Sequence, residues 1–298
     1  MSAQNPMKLW RGLSPDEIRR EFDMRVAVPD GASFVESYLR RSDAARTRIR
    51  SVRDIRYGPL PRQTLDVFPS RSPAAPVVMF WHGGAWRYQS KDHFSYMAEP
   101  LVAAGVTAVL VGYDLHPDVT LRQMMVEACE AISWVCRQIA EYGGDPGQII
   151  ISGHSAGAQL AGMALAHDFR PDNLPRSPVR GALLISGSYD MEPHRHHERY
   201  LDMGLDEELV HEASPAYNPP LDPDIPLVLA AGANETRGYI WQAEAFCRKC
   251  RSRGHPARVL LSPDDHHFSI VERLADAEHE LTRTLIKLAA QPSSAFQS

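Results

Sequence analysis

Gln148-Ile149-Ile150-Ile151-Ser152-Gly153-His154-Ser155-Ala156-Gly157-Ala158-Gln159-Leu160 is a short apolar run that meets a Gly-x-Ser-x-Gly turn and leaves it as a helical pattern. Three consecutive β-branched isoleucines suit a strand covered on both faces, as in a parallel sheet. Beyond the turn, Ala156, Ala158, Leu160, Ala161, Met163, Ala164 and Leu165 are good helix formers. The stretch reads as strand, sharp turn, helix. Gly153 and Gly157 then let two backbones pass close together, and Ser155 stands exposed at the top of a sheet. Taken alone, the five-residue motif also spells an ordinary loop with Ser155 as a helix N-cap. The strand and helix patterns on its flanks favour the first reading.

A chain of 298 residues is long for one domain but normal for a large sheet with helices on both faces. Hydrophobic residues at 44% and charged residues at 23% match a globular protein with a sizeable core. A net charge of −5 gives no electrostatic reason to expect nucleic acid or an anionic membrane as partner. The expected partner is a small-molecule substrate, and a homodimer is compatible with the sequence. Met1 to Trp10 lacks the basic and apolar blocks of a secretory signal, and no apolar run approaches membrane-spanning length, so a cytoplasmic location is expected. The four cysteines fall inside helical patterns. Cys247-Arg-Lys-Cys250 matches C-x-x-C but sits late in a helix, where a redox motif would open one, so buried thiols are the expectation.

Residues 1–50 are charged and helical in pattern, with two capping-box spellings, Ser14-Pro15-Asp16-Glu17 and Ser33-Phe34-Val35-Glu36. They predict two short helices in a segment packing on the main domain. The arginine-rich run Arg40–Arg56 reads as a solvated helix surface. An early hairpin, Ile55-Arg56-Tyr57 with Thr64–Phe68, precedes the loop Pro69–Pro73. From Pro76 strands and helices alternate: strand Val77–Trp81, helix Phe94–Ala104, strand Val106–Val111, helix Leu121–Tyr142, strand Ile149–Ile151, and the helix after Ser155. Strands follow at Gly181–Ile185, Leu227–Ala231 and Arg258–Leu261, with helices at Tyr239–Ser252 and Ile270–Ala289. Such alternation predicts a mostly parallel sheet with helices on both faces over residues 51–298. The pattern lapses between Ser186 and Pro226, so a small cap is expected at roughly 187–225, over the strand C-termini.

An acyl-transfer serine needs a base, an acid to orient it, and donors for the oxyanion. α/β-Hydrolases carry Ser, then Asp/Glu, then His along the chain. After Ser155, Glu235 follows the Leu227–Ala231 strand and His267 follows the Arg258–Leu261 strand. His266 is a rival base, and Asp264 and Asp265 are rival acids or plain turn formers. Phe80-Trp81-His82-Gly83-Gly84-Ala85-Trp86 follows the first parallel strand, where an oxyanion loop belongs. Gly83 and Gly84 could turn backbone N–H groups inward to join the N–H of Ala156. A tight glycine turn with His82 packed beneath it is the competing reading of that loop.

With these residues in view, the chain resembles the arylformamidase (kynurenine formamidase) branch of the α/β-hydrolases. His82-Gly83-Gly84-Ala85-Trp86 looks like that family's HGGxW signature. Tyr57-Gly58 with Thr64–Phe68, Tyr113-Asp114-Leu115, Gly153–Gly157, Ser186-Gly187-Ser188-Tyr189-Asp190 and His267-Phe268-Ser269-Ile270-Val271 match it too. The resemblance spans roughly residues 50 to 290. It implies a catalytic Ser155, Glu235 and His267, an oxyanion hole from Gly83, Gly84 and Ala156, and substrate contacts from His82, Trp86 and Tyr189. Two departures stand out: Glu235-Thr236 where the family often has Asp-Ser, and His266-His267-Phe268 where it often has Asp-His-Phe.

The activity so implied is metal-independent and cofactor-free hydrolysis of an aryl formamide such as N-formylkynurenine, through an acyl-enzyme. A carboxylesterase for short-acyl esters is the alternative within the same chemistry. A non-catalytic binding protein of this fold would have no need for Ser155, Glu235 and His267. The cluster His194-x-His196-His197 lacks a spaced carboxylate partner and reads as a solvated loop, with no metal.

Overall fold

The computed structural model describes residues 9–290. Eight strands form one sheet in the order β1-β2-β4-β3-β5-β6-β7-β8: β1 Val52–Arg56, β2 Thr64–Phe68, β3 Ala75–Trp81, β4 Thr107–Val111, β5 Gly144–His154, β6 Val179–Ile185, β7 Leu227–Gly232 and β8 Ala257–Ser262. β2 runs antiparallel to both β1 and β4, and every other neighbouring pair is parallel. Alternate strand residues feed two separate cores. Val77, Met79, Trp81, Ile149 and Ile151 face one, and Val78, Phe80 and Ile150 face the other. Both faces are therefore dry, which is why the isoleucine run is continuous rather than alternating.

Three helices precede the sheet, α1 Pro15–Phe22, α2 Met24–Ala27 and α3 Gly31–Arg48. α4 Ala98–Ala103, α5 Leu121–Gln138 and α6 Ala156–Ala164 follow within it. α7 Glu192–Arg195 and α8 Glu207–Ala213 lie in the 187–225 interval, ahead of α9 Arg237–Arg251, α10 Ser269–Glu272 and α11 Glu280–Ala290. Helix α5 buries Leu121, Met124, Ala128, Ile132 and Val135 along one stripe and is capped by Thr120, whose side chain accepts the N–H of Gln123. A 3₁₀ turn, Ile139–Tyr142, and Gly143 at φ 81° end it.

Several boundaries differ from expectation. The Ser14 capping box forms, but Ser33 lies inside α3, which begins at Gly31, and its hydroxyl donates to Asp30 O at 2.8 Å. The single helix anticipated over 270–289 is broken into α10, a 3₁₀ turn and α11. Asp276 takes an extended conformation there, and its carboxylate accepts the N–H of Glu278 at 2.9 Å. The arginine run is bonded into its surroundings rather than merely solvated: Arg46 donates to the main-chain oxygen of Asp92 and the hydroxyl of Ser95, and Arg48 is ion-paired with Glu99. Cys247 and Cys250 are both buried on α9, and burial pushes the Cys250 thiol up to about 12. No helix among the described residues is long and apolar enough to cross a membrane.

Candidate active site

The turn after β5 brings three chain segments within atomic contact. Ser155 sits at φ 54° and ψ −119°, a region that non-glycine residues rarely adopt. The glycines on either side have no room for a side chain. A Cβ on Gly153 would stand 2.4 Å from Gly157 O, and one on Gly157 would stand 2.1 Å from Trp81 O. The serine is thereby lifted off the strand end and pressed against the loop that follows β3. A Cβ on Gly83 would fall 3.2 Å from Ser155 Cβ, so that loop runs directly beside the hydroxyl.

His267 Nε2 is 3.0 Å from Ser155 Oγ, and His267 Nδ1 is 2.8 Å from Glu235 Oε2. A carboxylate only accepts, so Nδ1 carries the ring proton and Nε2 is left to accept from the serine hydroxyl. The second oxygen of Glu235 accepts the N–H of Gly232 at 2.8 Å and the hydroxyl of Ser186. Ser186, at φ 51°, is a residue whose part the sequence reading did not single out, although it lies within a motif quoted there. All four side chains are buried. Of the rivals, Asp264 is exposed and the other two are occupied elsewhere. His266 packs edge-on against Phe34 at 4.9 Å, and its Nδ1 accepts the N–H of Phe268 at 3.2 Å. Asp265 is held by Ser269 and Arg273.

The first N–H of α6, that of Ala156, has no partner within its own helix. No acceptor is found for the N–H of Gly83 or Gly84 among the described residues. Gly84 at φ 116°, Ala85 at 54° and Trp86 at 59° give the loop its tight, left-handed course. Trp86 is 1% exposed, donates Nε1–H to Gln159 Oε1 at 2.9 Å, and still contributes to the cleft wall. It is both anchor and wall.

His82 lies on the far side of the loop. It stacks on Tyr113 at 4.4 Å, places Nδ1 2.7 Å from Gly83 O, and is held down to about 3 by burial. Its ring lines a separate polar cavity beside Lys91, away from Ser155. Tyr189 is likewise set in the core, donating to Leu184 O at 3.0 Å and stacking on Phe246. Neither reaches the cleft. His154, by contrast, does: its Nε2–H donates to His267 O at 2.8 Å, and burial holds it well below the usual imidazole range.

The cleft over Ser155 has a volume of about 550 Å³. The 187–225 interval supplies Ser188, Arg199 and Tyr200 to its wall. Much of the wall comes from the N-terminal helices, including Phe22, Met24, Val28 and Val35. Phe22 packs on Tyr239, whose ring stands 4.6 Å from that of His267. In the histidine-rich stretch, His194 Nε2 is 3.1 Å from Ser188 Oγ, and His196 is paired with Glu192. Among the described residues no group of three His, Cys, Asp or Glu side chains is placed to hold a metal ion.

Known proteins resemble this chain in sequence and in fold. The profile of a family described as alpha/beta hydrolase fold matches residues 78–267. Kynurenine formamidase from Danio rerio is 29% identical over 295 residues, covering 95% of this chain and 99% of that protein. Isoprenylcysteine alpha-carbonyl methylesterase from Arabidopsis thaliana is 38% identical over 147 residues, 47% of this chain and 34% of that one. Esterase B from Lactobacillus rhamnosis superposes with a TM-score of 0.68 at 19% identity, covering 90% of this chain and 96% of that chain. The family profile reaches from β3 to His267, across the glycine loop after β3, the serine turn and the loop that carries Glu235, and the chain belongs to the α/β-hydrolase fold family.

Proposed function

We propose that this enzyme is a metal-independent serine hydrolase that cleaves an aryl formamide such as N-formylkynurenine through an acyl-enzyme. The observation that carries the reading is the Ser155–His267–Glu235 chain, with contacts of 3.0 and 2.8 Å, at the floor of a cleft walled by aromatic side chains. Ser155 Oγ attacks the formyl carbon while its proton passes to His267 Nε2. The carbonyl oxygen becomes an oxyanion facing the N–H groups of Gly83, Gly84 and Ala156. The tetrahedral intermediate then collapses, the C–N bond breaks, and the aryl amine leaves with the proton from Nε2. Water repeats the sequence on the formyl ester, releasing formate and restoring the serine. Glu235 stabilises the imidazolium that forms twice in each cycle.

The kynurenine formamidases, similar over nearly the whole chain, support the formamide reading. Free thiols at all four cysteines fit a reducing, cytoplasmic compartment. Similarity of about half the chain to methylesterases favours the second reading, a carboxylesterase for short acyl groups. An acyl series on one aryl leaving group separates them. The formamidase reading expects kcat/KM to fall steeply from formyl to acetyl to butyryl, with Ser155→Ala as blank, since each added carbon must find space beside the glycine loop. A flat or rising series assigns the enzyme to the esterases.

A further inference from the structure

Arg199 lines the cleft and takes no part in the hydrolytic machinery. Its side chain is only 14% exposed, yet none of its five N–H donors has an acceptor within hydrogen-bonding distance among the described residues. Asp23 Oδ1 stands 3.7 Å from Nη1, beyond hydrogen-bonding reach. That carboxylate is already committed to Arg25, which holds it through Nε at 2.9 Å and Nη2 at 2.7 Å. Two guanidinium groups thus share one carboxylate, and that of Arg199 keeps its hydrogen-bonding capacity unused. Glu36, an acidic residue of the same cleft, is exposed on α3. The Nε–H of Arg199 is buried without an acceptor, which is costly, and the cost is relieved when a carboxylate accepts Nε–H and an Nη–H side by side.

The surroundings fix the fork in place. The guanidinium lies over the rings of Tyr88 and Tyr200, at 5.4 and 5.8 Å from their centroids. Tyr200 in turn meets Trp86 edge-on at 5.8 Å, and Trp86 belongs to the loop beside Ser155. An aromatic layer therefore separates the scissile centre from the cation. We propose that Arg199 is a specificity-determining residue that binds a carboxylate carried by the substrate's aryl portion, remote from the bond that is cleaved. The substrate class is then an anionic aryl amide or ester rather than a neutral one. This rests on the acyl-transfer reading above.

The test compares two formanilides, one bearing a side-chain carboxylate on the ring and the other the matching carboxamide. The wild-type enzyme is expected to favour the carboxylate by about 10- to 100-fold in kcat/KM, the range for a hydrogen-bonded charge. Arg199→Met should bring that ratio close to one, and Arg199→Lys should keep part of it. A wild-type ratio near one, or a ratio that survives Arg199→Met, overturns the proposal. A calorimetric titration of Ser155→Ala with the aryl carboxylate and its carboxamide needs neither turnover nor an arginine variant. Tighter binding of the carboxylate, weakening as salt rises, supports the subsite, and equal binding refutes it. Should neither formanilide be hydrolysed while the carboxylate still binds more tightly, the acyl-transfer reading fails and the subsite stands.

Discussion

Glu235→Gln separates the acid's role from its mere presence, because the structure dictates which way the amide must face. One carboxylate oxygen accepts the N–H of Gly232 at 2.8 Å and the Ser186 hydroxyl. A backbone N–H cannot accept, so the amide oxygen stays on that side and the NH₂ group turns toward His267 Nδ1, where the other oxygen lies 2.8 Å away in the native chain. An NH₂ group in that place demands a lone pair on Nδ1. The ring proton moves to Nε2, 3.0 Å from Ser155 Oγ, and the base can no longer accept the serine proton. Trapping the wrong tautomer in a serine triad costs about 10⁴-fold in turnover, or roughly 5 kcal/mol of barrier. The assay is kcat on an aryl ester and a formanilide, with circular dichroism to verify folding and ¹⁵N NMR to read the His267 tautomer. Turnover within tenfold of wild type, or an unaltered tautomer, refutes this account of Glu235.

Ser155→Ala and His267→Ala are each expected to lose about 10⁶-fold in kcat, while His266→Ala stays within a few-fold; a dead His266 variant beside an active His267 variant reverses the assignment. Dialysis against EDTA should leave turnover intact and a serine-directed organophosphate should abolish it with one adduct at Ser155 by mass spectrometry. Activity lost to the chelator and restored by zinc rules the serine mechanism out. Stability should fall on acidification, because burial holds His82 and His194 down to about 3 while the unfolded chain takes up protons near 6.5. With the folded values below the unfolded ones, the contribution is complete above about pH 6.5 and shrinks as pH falls toward 3. The loss amounts to about 2 kcal/mol for each histidine by pH 5; urea midpoints that match at pH 5 and 7.5 contradict it.

The sheet was legible because its physics is local. Strand residues that alternate between two dry faces must be apolar at every position, and Val77–Trp81 and Ile149–Ile151 carry that mark. The serine turn was legible for a related reason, since Gly153 and Gly157 stand where any side chain would collide with backbone. What pattern alone left open was direction. His82 and Tyr189 belong to the right motifs, yet the first faces the cavity beside Lys91 and the second the core against Phe246. A motif fixes a residue's neighbours along the chain, whereas the side of a loop on which a ring settles depends on distant partners such as Tyr113.

The N-terminal helices carry the same lesson further. Ile18 and Phe22 mark the apolar face of α1, but periodicity says only that the face is covered, not that it covers the active site. The long-range contacts decide that. Glu21 accepts the Gly238 N–H with its carboxylate at 2.7 Å and the Thr236 hydroxyl with its main-chain oxygen at 2.6 Å. Both partners lie at the start of α9, immediately after Glu235. The helix that walls the cleft with Phe22 is thus fastened to the segment that holds Glu235, and Trp10 adds a tie through Nε1–H to Asp190 at 2.6 Å. The cleft wall and the Glu235 loop meet at one joint. With Glu235 as the proposed acid, a change at Glu21 is expected to alter turnover through it, though it lies more than two hundred residues away along the chain.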